Sequence, residues 1–349
     1  MSEYTVFNIE GGIGKHILST AVVAAYKNNN PDKKIIVVCA WPEVYLHNKD
    51  IHRVYRLGNV PYFYQDYIVG KKTEVFAQEP YKQTSHIGKD KHLIKTWCDM
   101  IGTKYNGEPP KLPMNVRELN YIDPELAAIP KTKPLLLFQP FGGPGKDHQA
   151  DNYSWVRDIH PQVAQHIVDK LKEHYQILHI CYDFHPKLND VIRYEKVVPK
   201  KNLFNLLRFA DRCLFVDSSF QHAAAAMGKE ATVVWVGTQP EVFGYEMHNN
   251  FKPPVEFPEG TIDSFLHDYN FTGAVHECPY DDVNQMYNVE GIINSLLQPP
   301  RQAAPVNTAP NAATTSNDEV VKKGSVATAP EQLKSAHRVK TGKHKKGKN

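Results

Sequence analysis

The stretch Tyr4-Thr5-Val6-Phe7-Asn8-Ile9-Glu10-Gly11-Gly12-Ile13-Gly14-Lys15-His16 decides how the rest of the chain is read. Its first six residues form a strand-length apolar run, and the run ends in a glycine turn. Beyond the turn, apolar residues recur at Ile13, Ile17, Ala21 and Ala25, with a second row at Leu18 and Val22, the spacing of one helix face. Asn28-Asn29-Asn30-Pro31-Asp32 stops that helix, and Lys34 to Ala40 is the next buried strand. This is a βαβ unit, the repeating block of a parallel sheet.

A similar opening follows the proline-rich stretch Glu108-Pro109-Pro110-Lys111-Leu112-Pro113. The run Leu135 to Gln139 enters Pro140-Phe141-Gly142-Gly143-Pro144-Gly145, and Val156, Ile159, Val163, Ile167 and Leu171 then mark a helix face, with Pro161 suited to a helix's first turn. Further strands are expected at Gln176 to Cys181, Cys213 to Val216 and Thr232 to Val236, and helices at Leu203 to Ala210, Gln221 to Met227 and Val283 to Leu297. The expected fold is α/β, with two doubly wound, Rossmann-like domains spanning residues 1–125 and 126–298 and a join within 108–133. Two such domains facing each other make a cleft for two substrates, because parallel sheets bind ligands beyond the carboxyl ends of their strands.

Of the 349 residues 41% are hydrophobic and 23% charged, a globular composition with no membrane-length apolar run. No secretory signal is visible at Met1-Ser2-Glu3-Tyr4. The five cysteines (Cys39, Cys98, Cys181, Cys213, Cys278) are scattered without metal-ligand spacing, which reads as reduced buried thiols in a cytoplasmic protein. The net charge of +3 hides an asymmetry: residues 299–349 carry a net +7 and the remainder −4. That tail has no aromatic residue and is expected to be disordered. Its basic end, Lys340 to Lys348, suits peripheral contact with an anionic surface such as a membrane, or serves only solubility; no specific nucleic-acid partner is expected.

Three constellations carry the candidate chemistry. Gly11, Gly12 and Gly14 allow close backbone approach to a ligand, the following helix N-terminus offers unpaired amides, and Lys15 and His16 stand beside them. The turn fits neither the phosphate-binding GxxxxGK[ST] nor GxGxxG. Asp217-Ser218-Ser219-Phe220-Gln221-His222 joins a strand to the alanine-rich segment Ala223 to Ala226, with three good helix caps and a histidine one turn in. Gly237-Thr238-Gln239-Pro240 begins a polar loop at another strand's carboxyl end, with Tyr245 and His248 nearby. Each also has a structural reading: a tight turn, a capped helix, an ordinary loop.

In this order, and with Pro42-Glu43-Val44-Tyr45 and Tyr153-Ser154-Trp155, the three constellations make the sequence resemble glycosyltransferase family 9, the ADP-heptose:lipopolysaccharide heptosyltransferases and their relatives. The similarity spans about residues 4–297. It implies a GT-B architecture, an acceptor site in the first half, a nucleotide-diphosphate sugar in the second, and inverting transfer with no metal or other cofactor. The donor would meet Gly142, Gly143, Lys146, Asp217, Ser218, Ser219, His222, Gly237 and Thr238; the acceptor, a glycan or lipopolysaccharide-type molecule, would enter beside Gly11, Gly12 and Gly14. Relatives usually carry an Asp base directly after the last glycine of the early turn, where this chain has Lys15. A cationic lysine suits the neutralisation of a phosphate or carboxylate, so the base falls to Glu10 or His16, with Glu10 preferred at the strand's end. Relatives also place a lysine shortly before the Trp155 position, where Asn152-Tyr153-Ser154 stands here; Lys146 and Arg157 are possible substitutes. The alternative is a non-catalytic sugar-nucleotide or glycan-binding protein on the same fold.

Overall fold

The run Tyr4–Ile9, rich in β-branched and aromatic residues, forms β1, almost wholly buried, between β2 (Lys34–Cys39) and β4 (Thr73–Phe76); β3 (Arg53–Arg56) pairs on the far side of β2. All three pairings are parallel, giving a four-stranded sheet of order β3-β2-β1-β4 in which Tyr4 lies opposite both Lys34 and Thr73. The residues described by the computed structural model are 3–130, 132–142, 153–195, 198–255 and 278–299. The helices of this half are α1 (Ile13–Asn29), α2 (Phe63–Tyr67), α3 (Thr84–Ile87), α4 (Leu93–Met100), α5 (Val116–Asn120) and α6 (Pro124–Ala128).

The second sheet is also parallel. It is built from β5 (Leu135–Gln139), β6 (Gln176–Ile180), β7 (Ile192–Tyr194), β8 (Arg212–Val216), β9 (Thr232–Val234) and β10 (Asn249–Phe251), in the order β10-β9-β8-β5-β6-β7. Its helices are α7 (Pro161–Leu171), α8 (Lys200–Phe204), α9 (Ser219–Ala226), α10 (Pro240–Phe243) and α11 (Val289–Leu297). Phe138, Phe215 and Trp235 are fully buried around the central strands. A buried phenylalanine of this kind contributes about 1.5–3 kcal/mol relative to its exposed state.

Both βαβ openings stand where the sequence places them, with three local differences. Val156 and Ile159 are core residues but precede the helix, which starts at Pro161; His160 caps it by accepting from the Gln162 amide, and a residue before proline is disfavoured in helical conformation. The helix expected over Leu203 to Ala210 begins earlier, as α8, and tightens into a 3-10 turn over Asn205–Arg208. The one expected over Val283 to Leu297 is a 3-10 turn at Val283–Gln285, then α11, capped by Asn288 on the Gly291 amide. Four of the cysteines are buried as expected, but Cys278 is exposed. Among the described residues no helix is long and apolar enough to cross a membrane. The basic tail lies outside the described residues except for Pro299.

The two sheets belong to one compact unit, Met1–Arg301. Polar ties cross between them: Asn205 Nδ2 donates to the Glu118 and Tyr121 carbonyls (3.0 and 2.8 Å), and Tyr194 donates to Asp123 (2.9 Å). Buried Lys201 donates to the Leu46 carbonyl (3.1 Å); burial lowers its pKa while Glu118 opposes that shift. Helix α1 packs on α9, and this contact brings the candidate residues of the two halves together.

Candidate functional site

At the carboxyl end of β1 the chain turns through Gly11, whose φ of +97° lies in the left-handed region that glycine adopts at least cost. Glu10 stands before it, exposed and without a hydrogen bond or ion pair to any described residue. Gly12 begins α1 with no side-chain cap, leaving amides of the helix's first turn unpaired by side chains. The indole of Trp41, from the end of β2, donates to the Gly11 carbonyl (3.1 Å) and braces the turn.

Lys15 and His16 are both turned inward. The Lys15 ammonium is 2.5 Å from Glu79 Oε2 and lies 5.2 and 5.5 Å from the ring centroids of Tyr81 and Trp97. It does neutralise a carboxylate, but one supplied by the chain itself. His16 is fully buried, with Nδ1 2.9 Å from the Gly12 carbonyl oxygen and Nε2 3.1 Å from that of Ile9. Burial lowers its pKa, opposed by those two carbonyls. A neutral imidazole has one N–H, and in either tautomer its free lone pair faces backbone here. His16 therefore fastens α1 to β1 and is not placed to take a proton from a ligand, which corrects its candidacy as base.

In the second half, Ser218 caps α9: it accepts from the Phe220 amide (3.3 Å) and donates to Gln139 Oε1 at the end of β5 (2.6 Å). Asp217 is buried just before it. Asp158, fully buried, accepts from the Gly142 and Ser154 amides (2.9 and 2.8 Å) and so staples the β5 loop to the turn before α7. A side chain at Gly142 would touch Ser218 Cβ at 3.8 Å, so these two loops adjoin. The Gly237 amide donates to the Val156 carbonyl (2.7 Å). Thr238 is 3% exposed, and its hydroxyl has no hydrogen-bond partner among the described residues. Gly143 and Lys146 lie outside the described residues.

The two half-sites meet at Gly14. A Cβ there would lie 3.0 Å from His222 Cδ2 and 3.5 Å from Ser219 Cα, so the glycine turn and the α9 N-terminus are in direct contact. His222 is 6% exposed, with Nδ1 2.8 Å from the Tyr245 hydroxyl. Burial pushes its pKa down to about 3, with His92, His248 and Arg157 adding to the shift, so the ring is neutral. His248 is structural: Nδ1 accepts from the Ala231 amide (3.3 Å), which leaves Nε2 to donate to the Gln221 carbonyl (3.0 Å).

Several residues of this region carried no role in the sequence reading. Glu79 and His92 come from loops of the first half; His92 accepts from the Ile94 amide and donates to the Gly244 carbonyl (2.9 Å), tying α4 to α10. Tyr81 and Trp97 come from the same half. Trp97 is core, and Tyr81 packs between His86 and Phe243. After β6, Tyr182 stacks on Phe184 (5.1 Å, 10°), and His185 lies against Phe141, the residue before Gly142. A run of aromatics after a strand was the only sequence signal for that shelf.

No protein-family model matches the sequence, and no curated protein matches it by sequence. Solved structures do. The glycosyl transferase family 9 protein of Veillonella parvula DSM 2008 superposes with a TM-score of 0.57 over 84% of this chain and 95% of its own, at 10% identity. The ADP-heptose lps heptosyltransferase II of E. coli gives 0.57 over 84% and 98%, at 12% identity. The chain has the fold of glycosyltransferase family 9. A third match, the iron-containing dodecameric glycosyltransferase TibC from enterotoxigenic E. coli H10407, gives 0.59 over 85% and 76%, at 12% identity. The iron belongs to that protein's description; among the described residues here, no group of three His, Cys, Asp or Glu side chains is arranged to hold a metal. The shared GT-B-like architecture accounts for the two parallel sheets and for the candidate turns at strand carboxyl ends.

Proposed function

We propose that this chain is a glycosyltransferase that moves a sugar from a nucleotide-diphosphate donor to a hydroxyl of a glycan or lipopolysaccharide-type acceptor, with inversion and without a metal cofactor. The observation that carries the reading is the contact of Gly14 with Ser219 and His222, which sets the turn after β1 beside the helix that follows β8. On a fold shared with glycosyltransferases, that contact supports reading the glycine turn as the acceptor side and the α9 N-terminus as the anion site, because it brings the two together. Residues 1–125 serve the acceptor and 126–298 the donor in this division.

The donor diphosphate sits at the N-terminus of α9, where unpaired amides and the Ser219 hydroxyl favour negative charge, while Ser218 holds that terminus in place through Gln139 and the Phe220 amide. Neutral His222 adds a hydrogen bond, and Thr238 gives its otherwise unmatched hydroxyl to the donor. Gly142 and Gly237 keep the walls low, and the aromatic shelf at Tyr182 and Phe184 flanks the nucleoside. The acceptor oxygen attacks the anomeric carbon while its proton passes to the Glu10 carboxylate. The bond from that carbon to the diphosphate oxygen breaks, and its electron pair leaves with the diphosphate, stabilised by fixed dipoles of the site. Glu10 takes the base role because Lys15 is bound to Glu79 and His16 to the backbone.

The second reading, a non-catalytic sugar-nucleotide or glycan-binding protein, draws support from Lys15 at the position where family relatives carry an acid. A thermal-shift screen against ADP, UDP, GDP, CMP and their sugar conjugates tests the donor site. One nucleotide family is expected to raise the melting temperature, and Thr238→Val is expected to weaken that shift while leaving the unliganded protein at least as stable, since the hydroxyl it removes is unsatisfied. No shift with any nucleotide would sink the transferase reading and leave a glycan-binding protein on the same fold. Release of free nucleotide from the stabilising conjugate separates transferase from binder. In the transferase, Glu10→Gln keeps the shift and loses roughly 100- to 10,000-fold in turnover.

A further inference from the structure

The segment between β3 and β4 covers one face of the four-stranded sheet. Phe63 and Tyr67 of α2 turn inward onto it, with ring centroids 5.7 Å apart for Tyr55 and Phe63 and 5.2 Å for Tyr4 and Tyr67. The outward side of the same segment also carries large apolar side chains. Tyr62 is 75% exposed, Tyr64 63% and Val69 68%; the Val69 amide donates to the Tyr64 carbonyl (2.8 Å), which keeps the two together. Tyr64 projects from α2, and Tyr62 and Val69 flank the helix, so the three bracket its open side beside Gln65 and Asp66. Tyr62 has left-handed backbone (φ +59°), unfavourable for a bulky side chain, and is the most exposed large apolar residue among those described.

Charge identifies the partner. From Lys49 to Lys72 the chain carries five basic and two acidic residues, a net +3 set on a body, residues 1–298, of net −4. Lys71 and Lys72 are exposed, and so is Arg56, whose guanidinium lies 3.7 Å from Glu43 Oε2 and donates to the Ala40 carbonyl (3.3 Å). We propose that this face docks on an anionic lipid bilayer, with Tyr62, Tyr64 and Val69 entering the headgroup region and the basic side chains meeting lipid phosphates. Tyrosine suits that depth because its ring is apolar and its hydroxyl stays hydrated. Three protruding side chains are few for a protein interface, which needs about 800 Å² per partner. Val69 offers no ring for stacking on a base or a sugar. The proposal does not depend on the glycosyltransferase reading.

Sedimentation of the full-length protein with vesicles tests it, using phosphatidylethanolamine mixed with phosphatidylglycerol, and phosphatidylcholine alone. Binding is expected only to the anionic vesicles and is expected to weaken with salt. The triple variant Tyr62→Ser/Tyr64→Ser/Val69→Ser is expected to keep its melting temperature, because all three side chains are exposed, and to bind about tenfold or more weakly. Arg56→Gln/Lys71→Gln/Lys72→Gln loses affinity mainly at low salt. A full-length variant with Lys343, Lys345, Lys346 and Lys348 changed to Gln separates the tail from this face and is expected to keep binding. The proposal is overturned if the unaltered protein ignores anionic vesicles, if the triple variant binds as tightly as the parent, or if the tail variant alone abolishes binding.

Discussion

Lys15 shows how one residue's charge reshapes its surroundings. Its side chain is only 6% exposed, whereas that of Glu79 is 33% exposed, so the two partners of the ion pair are not equivalent. Glu79→Gln strands an ammonium group between Tyr81 and Trp97, and an uncompensated buried charge costs about 3 kcal/mol, eased somewhat by the two ring faces. Lys15→Met leaves a carboxylate that water already reaches and fills the same space with an apolar chain; about 1 kcal/mol is expected. Urea unfolding of both variants checks the asymmetry, and equal costs would mean that the pair is solvated in solution. The sequence exposed Lys15 as a departure from the family pattern, but not its partner. Glu79 precedes Pro80 in a stretch without periodicity, and a contact across 64 residues leaves no local trace.

Among elements, legibility follows burial. β1, β2, β5, β6 and β8 are continuous apolar runs because both faces of a central parallel strand are covered, and each was readable to within a residue or so. β3 and β4 are four-residue edge strands whose residues are mostly exposed or half-buried, so Arg53–Arg56 and Thr73–Phe76 gave no signal. The glycine turn and the Asp217–His222 cap were visible separately. Their meeting was not, because it depends on how closely α1 approaches α9, which the small side chains of Ala223 and Ala224 permit. Gly14→Ala tests that approach. Its Cβ would stand 3.0 Å from His222 Cδ2, and the strain is expected to cost about 1–3 kcal/mol, partly offset by the better helix propensity of alanine. The double variant Gly14→Ala/His222→Ala is expected to recover part of that loss, a positive coupling measurable by a double-mutant cycle. Simple additivity would mean that the two residues do not touch.

For the whole molecule, buried neutral histidines tie folding to pH. Burial pushes His179 and His222 down to about 3 and His248 to about 4, against an ordinary value near 6.5 in the unfolded chain. With the folded pKa depressed, the unfolded state binds protons first. The stability these groups contribute is therefore complete above about pH 6.5 and is lost as pH falls toward 3–4, at up to about 1.4 kcal/mol per pH unit for each histidine. His179 isolates the effect, because it lies on β6 away from the Gly14 junction. It is fully buried against Phe138 and Phe141, neither ring nitrogen has a hydrogen-bond partner among the described residues, and Arg193 and His185 disfavour its charge further. His179→Phe removes two unsatisfied polar atoms and one acid-sensitive group while keeping an aromatic ring in place. The variant is expected to match or exceed the parent in urea stability at pH 7 and to gain on it progressively down to pH 5. A constant difference across that range would show that His179 carries a proton in the folded protein and that its surroundings are more polar than this packing allows.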